Sequence, residues 1–95
     1  MYGTTMIATL AEGVGADAVR AVLDDWSRDH PVEGFVSSHV LVSDDGATLV
    51  NAVAFTSKQA YQALGDDPSQ AAWWAERFAP LLAGEPRWID GPWAS

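Results

Sequence analysis

Residues 35–55 read FVSSHVLVSDDGATLVNAVAF, and this stretch decides the fold. Two runs rich in β-branched, apolar and aromatic residues, 35–42 and 48–55, flank the polar triplet Asp44-Asp45-Gly46. Such runs are typical of strands, and Gly46 supplies the positive φ that a tight hairpin turn requires. The stretch therefore predicts two antiparallel strands joined by a short turn.

Helical and extended patterns alternate on both sides of this hairpin. Residues 2–10 predict a strand, and from Ala16 apolar residues recur at helical spacing until His30-Pro31. After the hairpin, Ser57 is expected to cap a helix that 65–68 interrupts, with a fresh start at Asp67-Pro68 and an end at 84–86. Residues 87–89, extending towards 93, predict a last strand at an edge of the sheet.

The predicted order βαββαβ is the ferredoxin-like plan of the α+β class. In this plan a four-stranded antiparallel sheet carries two helices on one face. The 95 residues are expected to form a single domain, because so short a chain cannot support two independent cores. No internal repeat or linker divides 1–95.

Composition limits the possible partners. Thirteen acidic and five basic residues give a net charge of −8, which repels nucleic acid and anionic membranes. The N-terminus lacks the basic and apolar regions of a signal peptide, and no run approaches the length of a membrane span, so a cytoplasmic location is expected.

A homodimer is expected from two features of the sequence. The chain has no cysteine, hence no disulfide or thiolate metal site, and small domains without such staples often gain burial by oligomerising. Apolar residues also occupy both alternating sets of 35–42 and 48–55, which a sheet with one solvated face would not show. A second copy of the sheet would cover that face, through the 35–42 strand and the C-terminal segment around Trp88.

Asn51 is the most informative candidate for a functional site. Its carboxamide lies in the otherwise apolar run 48–55, where an unpaired amide costs about 1–3 kcal/mol. Tyr61 follows ten residues later, near the predicted helix start at Ser57. Together they suggest a small-molecule pocket, although Asn51 alone could also serve only to tie down a strand.

Several segments give the chain a family resemblance. They are the opening MYGT of 1–4, PVEGF of 31–35, VAFTSKQAY of 53–61 and the block from Asp67-Pro68 through Trp73-Trp74. With these segments the chain resembles the dimeric α+β barrel superfamily and, within it, the antibiotic biosynthesis monooxygenase-like group. The resemblance covers nearly the whole chain and implies the same ferredoxin-like fold.

The resemblance also implies roles for individual residues. Cofactor-free monooxygenases of this group, which oxidise phenolic polyketides to quinones, carry an Asn on the third strand, a Trp four residues later and a Tyr six beyond that. Asn51, Phe55 and Tyr61 match this spacing, with Phe55 in place of the tryptophan and therefore without its indole N–H. By resemblance Asn51 would hold a substrate carbonyl or reduced oxygen, Tyr61 would bond the substrate phenol, Phe55 would form a wall, and Arg77 is the only basic candidate in the second helix.

Haem-degrading relatives use an Asn on the first strand and an axial His on the second helix. Residues 2–10 contain no Asn and residues 57–82 contain no His, so the ligand that haem iron requires is missing from its place. No P-loop, Rossmann or zinc spacing is present either. We therefore expect no haem, flavin or metal cofactor.

The remaining candidates have both a functional and a structural interpretation. His39 could shuttle protons in a buried pocket, or it could lie at the dimer face; it shares the alternating set of Phe35, Ser37 and Leu41. His30 is most simply a residue that caps a helix end. Neighbouring helix positions differ by about 100°, so Trp74 is assigned to the core and Trp73 to a cleft or a partner subunit.

Two functions follow from these features. The first is a cofactor-independent monooxygenase that oxidises a small phenolic or polyketide-like aromatic substrate with dioxygen, with Asn51 and Tyr61 as catalytic residues. Phe55, His39, Trp73 and Arg77 would bind its substrate. The alternative is a non-catalytic small-molecule-binding or stress-associated protein on the same scaffold.

Overall fold

The structure is a computed structural model, and it describes residues 1–29 and 32–94. Its strands are β1 (Tyr2–Thr9), β2 (Phe35–Val42), β3 (Thr48–Phe55) and β4 (Arg87–Pro92). Its α-helices are α1 (Ala16–Asp29), α2 (Lys58–Gly65) and α3 (Pro68–Trp73), and α3 continues into a π-helical turn (Trp74–Phe78) and a 3₁₀ turn (Ala79–Leu81). The predicted order of strands and helices is confirmed, and the predicted helix end at His30-Pro31 lies outside the described residues.

The four strands form one antiparallel sheet in the order β2-β3-β1-β4. Met6 at the centre of β1 lies opposite Asn51 of β3 on one side and Trp88 of β4 on the other. Because directly opposed residues point to the same side of a sheet, this register fixes which side chains share a face. The fold is the α+β, ferredoxin-like fold that the sequence predicts.

One side of the sheet, here called the helix face, is covered by the helices. It carries Thr4, Met6, Asn51, Val53, Trp88 and Asp90. The opposite side, the open face, carries Thr5, Ile7, Leu41, Ala52 and Ile89. Within the C-terminal segment predicted to form a dimer contact, Ile89 therefore lies on the open face, whereas Trp88 lies on the helix face.

A β-bulge corrects one part of the sequence interpretation. The register of β2 against β3 shifts between Phe35 and Ser37. A bulge adds one residue to one strand, so the alternation of faces changes there. As a result Phe35 packs on the helix face against Phe55, whereas Ser37, His39 and Leu41 follow the open face.

The local signals for turns and caps behave as predicted. Asp45 in the hairpin accepts hydrogen bonds from the Ser43 hydroxyl at 2.5 Å and the Ala47 N–H at 2.9 Å, and these bonds lower the pKa of Asp45. Gly46 has a φ of 76°. Ser57 caps α2 by accepting from the Ala60 N–H, and Asp67 caps α3 by accepting from the Ser69 N–H.

The π-helical turn departs from the prediction of one continuous helical stripe. Its hydrogen bonds join residues five apart, and this spacing brings Trp73 and Phe78 together with ring centroids 5.7 Å apart. Trp73 is 9% exposed and belongs to the core, while Trp74 is only half-buried. Trp74 packs against the core as predicted, but Trp73, which was assigned to a cleft or a partner subunit, is buried more deeply within that core.

The core joins the helix face to the helices. Its buried residues are Met6, Leu10, Val19, Leu49, Trp73 and Phe78. Helix α1 is tied to the segment after α2 by the Trp26 indole N–H, which donates to Gln70 Oε1 at 2.7 Å, and by an ion pair between Arg77 and Asp25 at 3.1 Å. None of the helices in the described part of the chain is long and apolar enough to cross a membrane.

Candidate functional site

A large cavity lies between the helix face and the helices. Its volume is about 1120 Å³, slightly above the range of about 300–1,000 Å³ usual for small-molecule sites. Residues of all four strands, of α1, of α2 and of the segment from Gln70 to Phe78 line it. The cavity is therefore large enough for a ligand of several fused rings.

Aromatic rings form much of the cavity wall. They are Trp26, Phe35, Phe55, Tyr61, Trp73, Trp74, Phe78 and Trp88. Neighbouring rings contact each other. The ring centroid of Trp26 lies 5.7 Å from that of Phe35 and 5.9 Å from that of Trp73, and Trp74 stacks on Phe78 with centroids 4.9 Å apart. Flat walls of this kind suit a planar aromatic ligand.

Asn51 projects into this aromatic cavity from the central strand β3. Its Oδ1 accepts a hydrogen bond from the Ser38 hydroxyl at 2.8 Å, across the β2–β3 pair. Its Nδ2 makes no hydrogen bond with any other described residue. The Ser38 contact fixes the orientation of the amide and leaves an N–H₂ donor available for an acceptor on a ligand.

Tyr61 approaches the cavity from α2 and ends in a hydrogen-bonded cluster on the sheet. Its hydroxyl donates to Asp90 Oδ1 at 3.0 Å, and the Thr4 hydroxyl donates to the same oxygen at 2.6 Å. Burial raises the pKa of Tyr61 above its ordinary value, and the Asp90 carboxylate raises it further, against an opposing effect of Thr4. Tyr61 is therefore a neutral phenol at physiological pH, and its hydrogen is committed to Asp90.

Two other aromatic candidates also line the cavity. Phe55 is 2% exposed and packs against Tyr61 with ring centroids 5.3 Å apart, so it forms the wall next to the phenol. Trp73 also lines the cavity, and its Nε1 is buried with no hydrogen-bond partner among the described residues. The structure thus brings Asn51, Phe55, Tyr61 and Trp73 to one site.

His39 and Arg77 lie outside the cavity lining. His39 is exposed on the open face opposite Ala52, because the bulge between Phe35 and Ser37 changes which residues of β2 point to each face. Arg77 pairs with Asp25 on the protein surface, where Arg28 and then Arg77 hold the pKa of Asp25 below its usual value. Neither side chain is therefore placed to touch a ligand inside the cavity.

Asp90, Thr4 and Ser38 are polar residues of the site that the sequence interpretation missed. Asp90 lies in the segment Arg87-Trp88-Ile89-Asp90, which was interpreted only as an edge strand. Its pairing with Tyr61 spans 29 positions of the chain, so no local spacing could reveal it. Among the described residues, no group of three or more metal-ligating side chains occurs.

The fold of the chain can be compared with known proteins. No family model matches it, and no curated protein sequence matches it. Solved structures do match. One is the monooxygenase ActVA-Orf6 of Streptomyces coelicolor in complex with nanaomycin D, at 24% identity and a TM-score of 0.70, over 99% of this chain and 88% of that one.

Two further structures extend the comparison. SnoaB, a cofactor-independent oxygenase from Streptomyces nogalater, matches at 17% identity and a TM-score of 0.71, over 93% of this chain and 89% of that one. A dimeric ferredoxin-like protein of unknown function from Thermobifida fusca matches at 18% identity and a TM-score of 0.61, over 94% and 89%. The chain has the ferredoxin-like fold of these proteins. The predicted resemblance to antibiotic biosynthesis monooxygenases is confirmed at the level of the fold.

Proposed function

We propose that the chain is a cofactor-independent monooxygenase that oxidises a small phenolic or polyketide-like aromatic compound with dioxygen. The observation that carries the proposal is the aromatic cavity, into which Asn51 and Tyr61 both project. The fold shared with SnoaB and ActVA-Orf6 adds support.

The proposed reaction needs only the substrate and dioxygen. For an anthrone, a ring CH₂ becomes a carbonyl: two C–H bonds break, one oxygen atom of O₂ forms the new C=O, and the other leaves as water with the two hydrogens. The carbon is oxidised by four electrons and O₂ is reduced by four. The protein must hold the ring, exclude bulk water and stabilise the substrate anion that reacts with O₂.

The side chains of the cavity have separate roles in this proposal. Asn51 offers its Nδ2 to a substrate carbonyl, where negative charge accumulates on oxidation. The hydroxyl of Tyr61 bonds the substrate phenol. Phe55 and Trp73 confine the ring system. His39 and Arg77 have no part in it, because both lie away from the cavity lining.

Oxygen uptake with an anthrone probe tests the proposal. Metal-free parent protein is expected to accelerate O₂ consumption by dithranol, with one O₂ used for each anthrone converted to anthraquinone. The double variant Asn51→Ala/Tyr61→Phe is the matched control, because it keeps the aromatic walls and removes both polar groups. A parent protein that binds dithranol but consumes O₂ no faster than this variant would favour the alternative, a binding protein without catalysis.

We also propose that the protein is a homodimer joined through the open faces of two sheets. Leu41 and Ile89 on that face are 63% and 54% exposed. The similar protein from Thermobifida fusca is described as dimeric. The dimer would not cover the helix face, from which Asn51 projects into the cavity.

A further inference from the structure

The hydrogen bonds around Asp90 support an inference about how the site selects and activates its ligand. We propose that Asp90 accepts the proton of a neutral hydroxyaromatic ligand through Tyr61, and that it makes the cavity select neutral hydroxyl compounds over anions. The catalytic half of this inference rests on the proposed function, and the selectivity half rests on the cavity alone. In this proposal Asp90 acts through Tyr61, whose hydroxyl it accepts from.

The direction of the hydrogen bonds gives Tyr61 its role. Asp90 Oδ1 accepts from both Thr4 and Tyr61, at 2.6 and 3.0 Å. Because a carboxylate only accepts, the Tyr61 hydroxyl must be the donor in this pair. The oxygen of Tyr61 then presents lone pairs to the cavity, so the group that bonds it must be a donor, such as the hydroxyl of a phenol.

The charges around the cavity favour a neutral ligand over an anionic one. Two carboxylates, Asp24 and Asp90, line it, together with one cation, Arg20. The guanidinium of Arg20 lies 3.4 Å from the carboxylate of Asp17, three residues earlier on α1, and Arg77 is paired with Asp25. Among the described residues no lysine or arginine is therefore paired with Asp90, and a carboxylate on the ligand would be repelled.

The proton transfer conserves the charge of the site. The ligand O–H bond breaks as its proton moves to the Tyr61 oxygen, and the Tyr61 proton moves to Asp90 Oδ1. The negative charge passes from Asp90 to the ligand, so the net charge of the site is the same before and after the step. Asp90 lies on the edge strand β4 and is exposed, so its proton can leave to water once the ligand anion has reacted with O₂.

Few other titratable groups surround Asp90. On β1 the neighbouring group is Tyr2, and on α2 the groups are Tyr61 and Lys58, whose Nζ lies 6.0 Å from the centre of the Tyr2 ring. Arg87 is on the same strand but on the opposite face. Asp24 and Arg20 line the cavity from α1. The pH profile of an Asp90 variant therefore has to be compared with the pH profile of a variant that lacks a distant carboxylate.

A binding experiment tests the selectivity without any turnover. Calorimetry would compare 2-naphthol with 2-naphthoate for the parent, Asp90→Asn and Asp44→Asn. Asp44 lies in the hairpin turn, so Asp44→Asn removes the same charge far from the cavity. The parent is expected to prefer naphthol, and Asp90→Asn should reduce the ratio of the two affinities about threefold, because the repulsion by an exposed carboxylate is lost.

A carboxylate is better hydrated than a phenol whatever the protein, so a preference for naphthol in the parent alone is not a test. The test is how much the ratio of the two affinities changes on substitution. A ratio that falls no further in Asp90→Asn than in Asp44→Asn would overturn the proposal. Circular dichroism would establish that each variant folds. If Asp90→Asn does not fold, Asp90→Ser makes the same test, because it removes the same negative charge, and a preference for naphthol equal to that of the parent would then overturn the proposal.

The rate of dithranol oxidation between pH 6 and 9 tests the proton transfer. Asp90→Asn should lower kcat about 100-fold near neutral pH, with the rate recovering as pH rises and the probe ionises in solution. Asp90→Glu should restore part of the rate, and Asp44→Asn should match the parent. A pH profile of Asp90→Asn identical to that of the parent would overturn the relay, whereas a parent that oxidises nothing but loses its naphthol preference on Asp90→Asn would contradict the proposed function alone.

Discussion

At the scale of single residues, the polar groups of the cavity differ in how visible they are in the sequence. Asn51 is conspicuous because a carboxamide interrupts an apolar strand, and Tyr61 follows ten residues later near a predicted helix start, at a spacing that also matches the family resemblance. Asp90 is one of thirteen acidic residues and follows an edge-strand pattern, so nothing local marks it. Its importance arises only when β4 pairs with β1 and places it beside Thr4 and Tyr61.

Single substitutions at Asn51 and Tyr61 should separate a site role from a structural role. Asn51→Ala removes the bond to Ser38, which is exposed, so the free energy of unfolding should fall by no more than about 1 kcal/mol. Tyr61→Phe should be similarly mild, because its hydroxyl bonds an exposed carboxylate. Both variants should nevertheless slow oxidation of dithranol at least about tenfold, since they remove groups that bind the reacting substrate.

Urea unfolding and oxygen uptake, measured on the same preparations, test this prediction. Ser37→Ala serves as the control, because Ser37 precedes Ser38 on β2 but follows the open face. It should leave the oxidation rate unchanged. A loss of several kcal/mol for Asn51→Ala, with oxidation reduced only in proportion to the folded fraction, would show that the amide is structural.

At the scale of helices and strands, the sequence was sufficient to predict strand bounds and helix caps, because these depend on residues that are close together in the chain. The bounds 35–42 and 48–55 agree with β2 and β3, and the caps Ser57 and Asp67 begin the helices they were predicted to begin. The π-helical turn and the β-bulge were missed, because each adds one residue to a regular repeat and depends on packing between distant segments. Both affect the site, since the bulge separates Phe35 from His39, which lies on the open face where its alternative role at a dimer face would place it, and the π-helical turn buries Trp73 more deeply than Trp74.

Gly34 is the backbone position that should tolerate substitution least. Its φ is 84°, a Cβ added to it would lie 2.5 Å from the Ala60 Cβ, and its carbonyl accepts from the Thr56 N–H at 2.7 Å. Gly34→Ala should therefore lower the free energy of unfolding by about 2–4 kcal/mol, from backbone strain and the clash with α2 together.

Gly13→Ala is the matched control for the Gly34 prediction. Gly13 has a nearly equal φ of 82°, but a Cβ there would meet nothing within 4 Å. It should lower the free energy of unfolding by about 1 kcal/mol, from strain alone. Equal losses for the two variants in urea unfolding would show that the approach of Gly34 to Ala60 contributes nothing.

At the scale of the whole molecule, the sheet divides the protein into a covered side with the cavity and an open side. The sequence predicted a dimer, and the exposed apolar residues of the open face form the surface through which two subunits would join. Ile89→Lys should dissociate the dimer, because it places an ammonium group against the apolar open face of the second sheet. Light scattering of the parent at micromolar concentration should give twice the chain mass of 10.2 kDa.

Ala72→Lys is the control for this interface, since Ala72 is exposed on α3, on the other side of the sheet. It should remain dimeric. A parent protein that scatters as a 10.2 kDa monomer would contradict the dimer, and a dimer unaffected by Ile89→Lys would place the interface elsewhere.

The measurement that tests the central claim most directly is the fate of isotopically labelled oxygen. Chelator-treated protein would oxidise dithranol under ¹⁸O₂ in unlabelled water, with rapid extraction to limit exchange of the product carbonyl. If the cavity catalyses a cofactor-independent monooxygenation, each anthraquinone molecule formed should contain one ¹⁸O atom, and chelation should not lower the rate of dithranol oxidation. Product oxygen derived from water, or activity that disappears with the chelator and returns with added metal, would contradict the account.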